Sequence, residues 1–429
     1  MTATPKPGIR LADGLSALAD PVLAARQASE RVSGLLSGLS ADLVVVTVTA
    51  PFASRVGMIA DVIRDSLSPS NLLIVTASSV MGGSTEIHGK PGIAVLAMHL
   101  PGVDIHPFWL NHLTGIETLE TRAANIAFTI GASDEMRAVL FFADPFSVPL
   151  VTMVPALSAS RTEVASKRGR RTPIGTIIGA MASASNRPMG NTLYLNGELR
   201  NEGAMGVTLS GPLRVDTVVS QGCRPIGEPM IITKARGNLI LELGGQRAVE
   251  VIRETVHMLS DEDKELMGNG LLLGRVIHAH KKRYGRGDFL IRNLMGGDEE
   301  SGAVAVADII RAGQTVQLHL HDEQTAREDL QLLLDGQRLY DKPAGAFVVS
   351  CNGRTDKFFG DGGHDARAIA HAFDPMEDGA RKAKSGTEVD PSAGIPVTGL
   401  FGAGEIGPLG DEIFHHGHTV VAALFRDPD

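Results

Sequence analysis

Only two cysteines occur in 429 residues, and each follows a β-branched run and precedes polar or glycine-rich sequence. Cys223 lies in "VVSQGCRPIGEP" and Cys351 in "VVSCNGRTDKFFG". A cysteine nucleophile needs a base, an oxyanion site and a lowered pKa. Arg224 and Arg354 could supply positive charge, but no histidine can be assigned as base from spacing. A phosphatase-type loop would place its arginine several residues after the cysteine. Arg224 is adjacent to Cys223, so that chemistry is excluded. Neither cysteine belongs to a CxxC pair, and two thiols in so long a chain make no disulfide framework. The bland alternative is a buried thiol ending a strand. The Gly222 and Pro225-Ile226-Gly227 sequence predicts a constrained turn that could present a guanidinium and backbone N–H groups to an anion.

Two further runs carry chemistry-bearing residues. "GAGEIG" (Gly402, Gly404, Gly407) matches G-x-G-x-x-G after a strand-like run. A dinucleotide site would need a helix to open there. Pro408 and Gly410 forbid one, which leaves a glycine-rich turn that lets backbones approach. Glu405 sits between those glycines and could reach a ligand. "HHGH" (His415, His416, His418) has no cysteine or carboxylate at a spacing that closes a tetrahedral metal site. His278/His280 and His319/His321 repeat the alternation without partners. No metal and no cofactor is expected.

The elements that must carry these motifs follow from periodicity. Asp20-Pro21 reads as an N-cap with proline at the first helical position. Ala28, Val32, Leu35, Leu36 and Leu39 then mark a helix to about Gly38. "LVVVTVTA" and "NLLIVTASS" read as strands flanking a helix near Val56–Ser66, and "GIAVLAMHL" completes the unit. The same order recurs in "GAFVVSCNGR", a helix near His364–Phe373, "IPVTGLFG" and "HTVVAALF". A weaker copy runs from "AVLFFADP" through "PIGTIIGAMA" and "NTLYLNGEL" to "AMGVTLSG". Between Pro212 and Gln246, strand-like runs alternate with turns. Ala248, Val251, Ile252 and Leu259 then mark a helix, "DFLIRNLMG", "GAVAVAD" and "QTVQLHLH" read as strands, and Ala326, Leu330, Leu333 and Leu334 mark another helix. The fold class expected is α+β: layered mixed sheets with flanking helices and internal β-loop-α-β-β repeats. The polar stretch from Asp374 to Gly394 reads as a long loop.

Composition narrows the partners. The net charge of −9 argues against nucleic acid as a partner. The one basic cluster, Lys167, Arg168, Arg170 and Arg171, reads as a solvated loop. No apolar run approaches the ~20 residues a bilayer requires, and the N-terminus lacks a signal-peptide core. A cytoplasmic protein with no membrane partner is expected.

Taken together, "SQGCRPIG" and "LYLNGEL…LILELGG" resemble the end of the N-terminal FIST region, named for F-box and intracellular signal transduction proteins. "FVVSCNGR" and "IPVTGLFGAGEIGP" are similar to C-terminal FIST signatures. The resemblance covers about Ala41 to Phe425. It implies residues 1–40 as a tail and helix, 41–240 as a FIST N-like region and 241–429 as a FIST C-like region. It also implies a small-molecule sensor, for amino acids or related carboxylates, acting with a signalling protein partner. The shared positions are Gln221, Cys223, Arg224, Cys351, Asn352, Gly353, Arg354, Gly404, Glu405 and Gly407. On this reading the three motifs meet in one pocket, where Arg224 or Arg354 pairs a ligand carboxylate and Glu405 its amino group. The chain departs from many members after Arg354, where "TDKFFG" replaces glycine-rich sequence. The residues before Ala41 are too few for an F-box, so a stand-alone sensor is expected. The alternative is a hydrolase or transferase that uses Cys223 or Cys351.

Overall fold

The run "LVVVTVT" is buried at every position, and its two faces meet different partners. Leu43 and Val45 face a core shared by three sheets. Val44, Val46 and Val48 face helices. A strand covered on both sides reads as a continuous apolar run, with no alternation. The computed structural model describes residues 8–110, 118–167, 169, 172–277, 281, 283–374 and 394–428. Arg168, Arg170, Arg171, His278, His280 and nearly all of the 374–394 stretch lie outside the described residues.

The chain divides into two units. Unit 1 comprises residues 1–219, 333–415 and 420–429, and unit 2 comprises 220–332 and 416–419. Unit 1 contains three modules of one pattern. The first is β1 (Arg10–Ser16), α1 (Pro21–Leu36), β2 (Leu43–Thr49), α2 (Val56–Leu67), β3 (Asn71–Ala77), the pair β4 (Ser79–Gly82) and β5 (Thr85–His88), and β6 (Ile93–His99). The second is β7 (Asp104–Leu110), α3 (Leu119–Thr129), β8 (Met136–Ala143), α4 (Leu150–Lys167), β9 (Thr176–Met181), β10 (Leu193–Leu195), β11 (Glu198–Arg200) and β12 (Ala204–Ser210). The third begins with β13 (Arg214–Ser220) and is then interrupted by most of unit 2.

Unit 2 is a closed antiparallel barrel. Its strands are β14 (Cys223–Arg236), β15 (Leu239–Leu243), the short β16 (Gln246–Arg247), β17 (Leu271–Val276), β18 (Phe289–Gly297), β19 (Val304–Val306) and β20 (Thr315–His321). Two helices, α5 (Ala248–His257) and α6 (Asp261–Leu266), lie between β16 and β17 in the chain. Six strands close in the order β14-β20-β17-β18-β19-β15, because β14 pairs with both β20 and β15. Register shifts between Ile226 and Met230, and again beyond Ile232, bend this long strand so that its two halves serve different neighbours. Ile232, Leu273, Val306, Val316, Leu318 and Leu320 fill the interior.

The chain resumes the third module with α7 (Glu323–Gln337), β21 (Gly345–Cys351), α8 (Asp356–Phe359), α9 (His364–Ala370), β22 (Val397–Gly402), the pair β23 (Glu405–Leu409) and β24 (Glu412–His416), and β25 (Val420–Arg426). The three sheets have the same order: β1-β6-β2-β3-β10-β11, β7-β12-β8-β9-β23-β24 and β13-β25-β21-β22-β4-β5. Four strands of each come from one module. The last two are a strand pair supplied by another, in a closed cycle. The expected repeats are therefore present, including the weaker middle copy, as is the layered α+β architecture. Leu140 and Phe142 of β8 meet Phe347 and Val349 of β21 and Leu43 and Val45 of β2 in the common core. Phe142 and Phe347 pack edge to face at 5.6 Å.

At the N-terminus, Asp20 caps α1 as expected, its carboxylate accepting from Val22 and Leu23 N–H at 2.9 Å. The segment before it is strand β1, where sequence reading saw only a tail. Gly14 is the overlooked signal: a Cβ there would overlap the carbonyl of Ala28 in α1, so the helix packs directly on the strand. Among the described residues no helix is long and apolar enough to cross a membrane.

His319 of β20 is buried on the face opposite Leu318 and Leu320, with Nδ1 against the Gln317 carbonyl oxygen at 3.1 Å and its ring edge-on to Phe289 at 4.7 Å. Burial pushes its pKa down to about 4, a drop that the Gln317 contact only partly opposes. The folded state therefore favours neutral His319. Its stability contribution is complete above pH 6.5 and is lost as pH falls from there towards about 4. Chemical unfolding monitored across this window should show a loss of at most about 3 kcal/mol, and His319→Gln should flatten that limb.

Candidate functional site

The parallel strand pairs of unit 1 end in register: Thr49 opposite Ala77, Ala143 opposite Met181, and Cys351 opposite Gly402. The loops that follow are where ligands bind in open α/β sheets. After β2, β8 and β21 come Ala50-Pro51-Phe52, Asp144-Pro145-Phe146 and Asn352-Gly353-Arg354. After β3, β9 and β22 come Ser78-Ser79, Ala182-Ser183 and Ala403-Gly404. Side chains from all three modules meet at this end.

The meeting point is the carbonyl oxygen of Phe401. The Ser183 hydroxyl donates to it. The Ser78 hydroxyl lies 3.4 Å away. The Asn352 amide is satisfied with its nitrogen 3.1 Å from Phe401 O, 3.2 Å from Gly402 O and 2.6 Å from Ser78 Oγ. Ser183 Oγ also accepts from Ser78 N–H at 2.9 Å. Asn352 is exposed, and Ser78, Ser183 and Cys351 are half-buried. A carbonyl oxygen has two lone pairs, yet three side-chain donors converge on this one. The patch can release a donor to an incoming oxygen acceptor.

Arg354 holds the loop that presents Asn352. Its guanidinium is wholly buried and grips Asp365 at 2.9 Å through both Nε and Nη2. Ser350 donates to the same carboxylate at 2.7 Å, and His364 Nδ1 lies 3.0 Å from it. Phe359 stacks on His364 at 4.0 Å and sits under Arg354 at 5.1 Å. Burial alone would raise the pKa of Asp365, but the Arg354 charge and the hydrogen bonds from His364 and Arg354 hold it well below the usual carboxylate range. Arg354 therefore serves the fold. It has no exposed surface, whereas the resemblance implied a side chain open to a ligand.

"GAGEIG" forms the end of β22, a turn and the start of β23, with no helix, as proline and glycine required. A Cβ on Gly404 would overlap the His415 ring, and one on Gly407 would lie 2.9 Å from Val421 Cγ1. These glycines let backbone and side chains approach closely. Glu405 is fully buried in β23, opposite Ala180.

The remaining expected site residues belong to unit 2 and are engaged within it. Gln221 and Gly222 alone form the turn, with Gly222 at φ 61°. Cys223 already opens strand β14, paired with His321, so the longer turn read from Pro225-Ile226-Gly227 is corrected. The Gln221 side chain donates to Phe289 O at 2.8 Å, and its N–H donates to Asp329 at 3.2 Å. Cys223 is buried, its thiol 3.3 Å from Gln221 O. Arg224 pairs with Asp263 at 2.5 Å and Asp322 at 3.2 Å. Desolvation pulls its pKa down, but the two carboxylates together outweigh this and raise it. His418 lies 2.8 Å from Asn293 and edge-on to His321 at 4.7 Å. Among the described residues no three histidine, cysteine or acidic side chains gather as a metal site. Ser78 and Ser183 escaped sequence reading, although their place just past matching repeat strands was a usable signal.

Removing one partner of a buried ion pair leaves the other charge uncompensated. Arg354→Met should cost about 3–5 kcal/mol in urea unfolding. Adding Asp365→Leu to that variant should recover part of the loss.

Profiles of known families match most of the chain: the FIST N domain over residues 42–246 and the FIST C domain over 248–408. An uncharacterized protein of Mycobacterium tuberculosis (strain H37Rv) is 32% identical over 98% of this chain and 100% of its own length. An uncharacterized protein of Mycobacterium bovis is 30% identical over 98% of this chain and 99% of its own. Among solved structures, the cyanuric acid hydrolase of A. caulinodans is 12% identical over 50% of this chain and 72% of that one, with a TM-score of 0.24. A second cyanuric acid hydrolase structure is 10% identical over 65% and 85%, with a TM-score of 0.27. By the two matched regions, the chain belongs to the FIST family.

Proposed function

We propose that this FIST protein is a small-molecule sensor whose ligand binds over Ser78, Ser183 and Asn352 at the strand ends of unit 1. The observation that carries the reading is the convergence of three donors, one from each module, on the single Phe401 carbonyl oxygen. A ligand oxygen, such as the carboxylate of an amino acid, would take one or two of those donors at little reorganisation cost. Because all three modules contribute, occupancy would bias how they pack together. That bias is what a signalling partner would read. Arg224, bound by two acids, and Arg354, buried on Asp365, are not needed for this recognition.

Calorimetric titration with a panel of free amino acids tests the proposal. At least one should bind, and Ser78→Ala and Asn352→Ala should each weaken it by about tenfold, the scale of one lost hydrogen bond. No binding at millimolar concentration, or binding unchanged in both variants, would overturn it.

The thiols separate this reading from a cysteine-dependent enzyme. Iodoacetamide at pH 6.5 should label half-buried Cys351 only slowly, and Cys223 only on unfolding. Rapid labelling of either, read by mass spectrometry, would favour the enzyme.

A further inference from the structure

A cavity of about 560 Å³ opens at the other end of the second sheet, where β8 and β9 begin. Met136, Arg137, Thr176, Leu213, Arg214 and Val215 are among its lining residues. Its size is that of a small-molecule pocket. Two independent observations point to a ligand. The first is the Thr176 hydroxyl, which is buried and has no hydrogen-bond partner, although the residue is only 9% exposed. Buried hydroxyls are almost always bonded. The second is Arg137, an exposed guanidinium whose Nε is anchored to Gly211 O at 3.1 Å and which pairs with no described carboxylate. Both line the cavity, and Thr176 lies opposite Ala138, the residue that follows Arg137. Arg214 differs, because its charge is shared with Asp216 at 3.0 Å and its plane lies on Tyr340 at 4.5 Å. Behind the wall, buried Arg161 donates to Ile174 O at 3.0 Å and to Gly175 O at 2.7 Å.

We propose that this cavity binds an organic anion, distinct from the ligand at the strand ends. Its carboxylate would bridge the Arg137 fork and the Thr176 hydroxyl. Its apolar body would lie against Met136, Leu213 and Val215. A guanidinium held at Nε still presents its terminal nitrogens for a charge-assisted bond. The apolar half of the lining selects against a bare inorganic ion, which would leave it unfilled.

Hexanoate, hexanamide and inorganic phosphate are the probes, titrated by calorimetry into the full chain. Hexanoate should bind and hexanamide should not. Arg137→Gln should weaken hexanoate by about tenfold or more, the scale of one charge-assisted bond, whereas Ser78→Ala should leave it unchanged. Thr176→Val should weaken it too while leaving the melting temperature of the free protein unchanged or higher, because the hydroxyl bonds nothing in the fold. Equal binding of hexanamide, or phosphate binding without hexanoate, would overturn the proposal. So would hexanoate binding that survives Arg137→Gln or that is lost in Ser78→Ala, which assigns it to the strand ends. A Thr176→Val variant that melts lower would show that the hydroxyl serves the fold.

Discussion

The strands β3, β9 and β22 would each be a bare edge if their modules stood alone. An unpaired strand edge exposes a row of N–H and C=O groups, and proteins cover such edges or aggregate through them. Here each edge is covered by a strand pair from another module: β10–β11 on β3, β23–β24 on β9, and β4–β5 on β22. The exchange closes on itself, so no module can be completed without the other two. The common core enforces the same dependence, since the inner faces of all three sheets bury Leu43, Val45, Leu140, Phe142, Phe347 and Val349 together.

That exchange also builds the polar patch. Strands completed by neighbours bring their ends close to those neighbours. Met181 N–H donates to Gly404 O, Ala403 N–H to Met181 O, and Ser183 N–H to Thr76 O. Backbone bonds between modules thus fix the loops before any side chain contributes. The side chains at these positions differ among modules, and those differences give the patch its chemistry. At the position after β2, β8 and β21 stand Ala50, Asp144 and Asn352. Asp144 is consumed locally, accepting from Phe146 and Ser147 N–H and from Asn191. Asn352 is left at the surface. Two residues on, Phe52 and Arg354 are both buried, one by apolar contact and the other through Asp365.

Interruption of the third module gives the three strand-end motifs different physical roles. "SQGCRPIG" carries the chain from β13 into the first barrel strand. Its glycine supplies the left-handed turn, and its arginine binds acids of the barrel unit. "SCNGR" and "GAGEIG" stay in the repeat unit, where one fixes a loop through a buried ion pair and the other lets β23 approach its neighbours. Residues that look alike as small, charged strand-end motifs are thus divided between two units and between structural and exposed roles.

Much of the fold was legible in the sequence because it rests on local physics. The apolar runs "LVVVTVT" and "NLLIVTA" could only be buried strands, Asp20-Pro21 could only start a helix, and Pro408 and Gly410 ruled out a helix after "GAGEIG". The recurrence of strand, helix, strand and turn revealed the repeats for the same reason. The tertiary structure decided which strand pair completes which sheet, because edge pairing depends on segments over a hundred residues apart. It decided that Arg354 faces Asp365, since a guanidinium at a strand end can turn inward or outward and only the burial of a matching carboxylate selects between them. It also brought Ser78, Ser183 and Asn352 to one carbonyl oxygen. No spacing rule connects positions on three different modules; the shared core and the exchanged strands do.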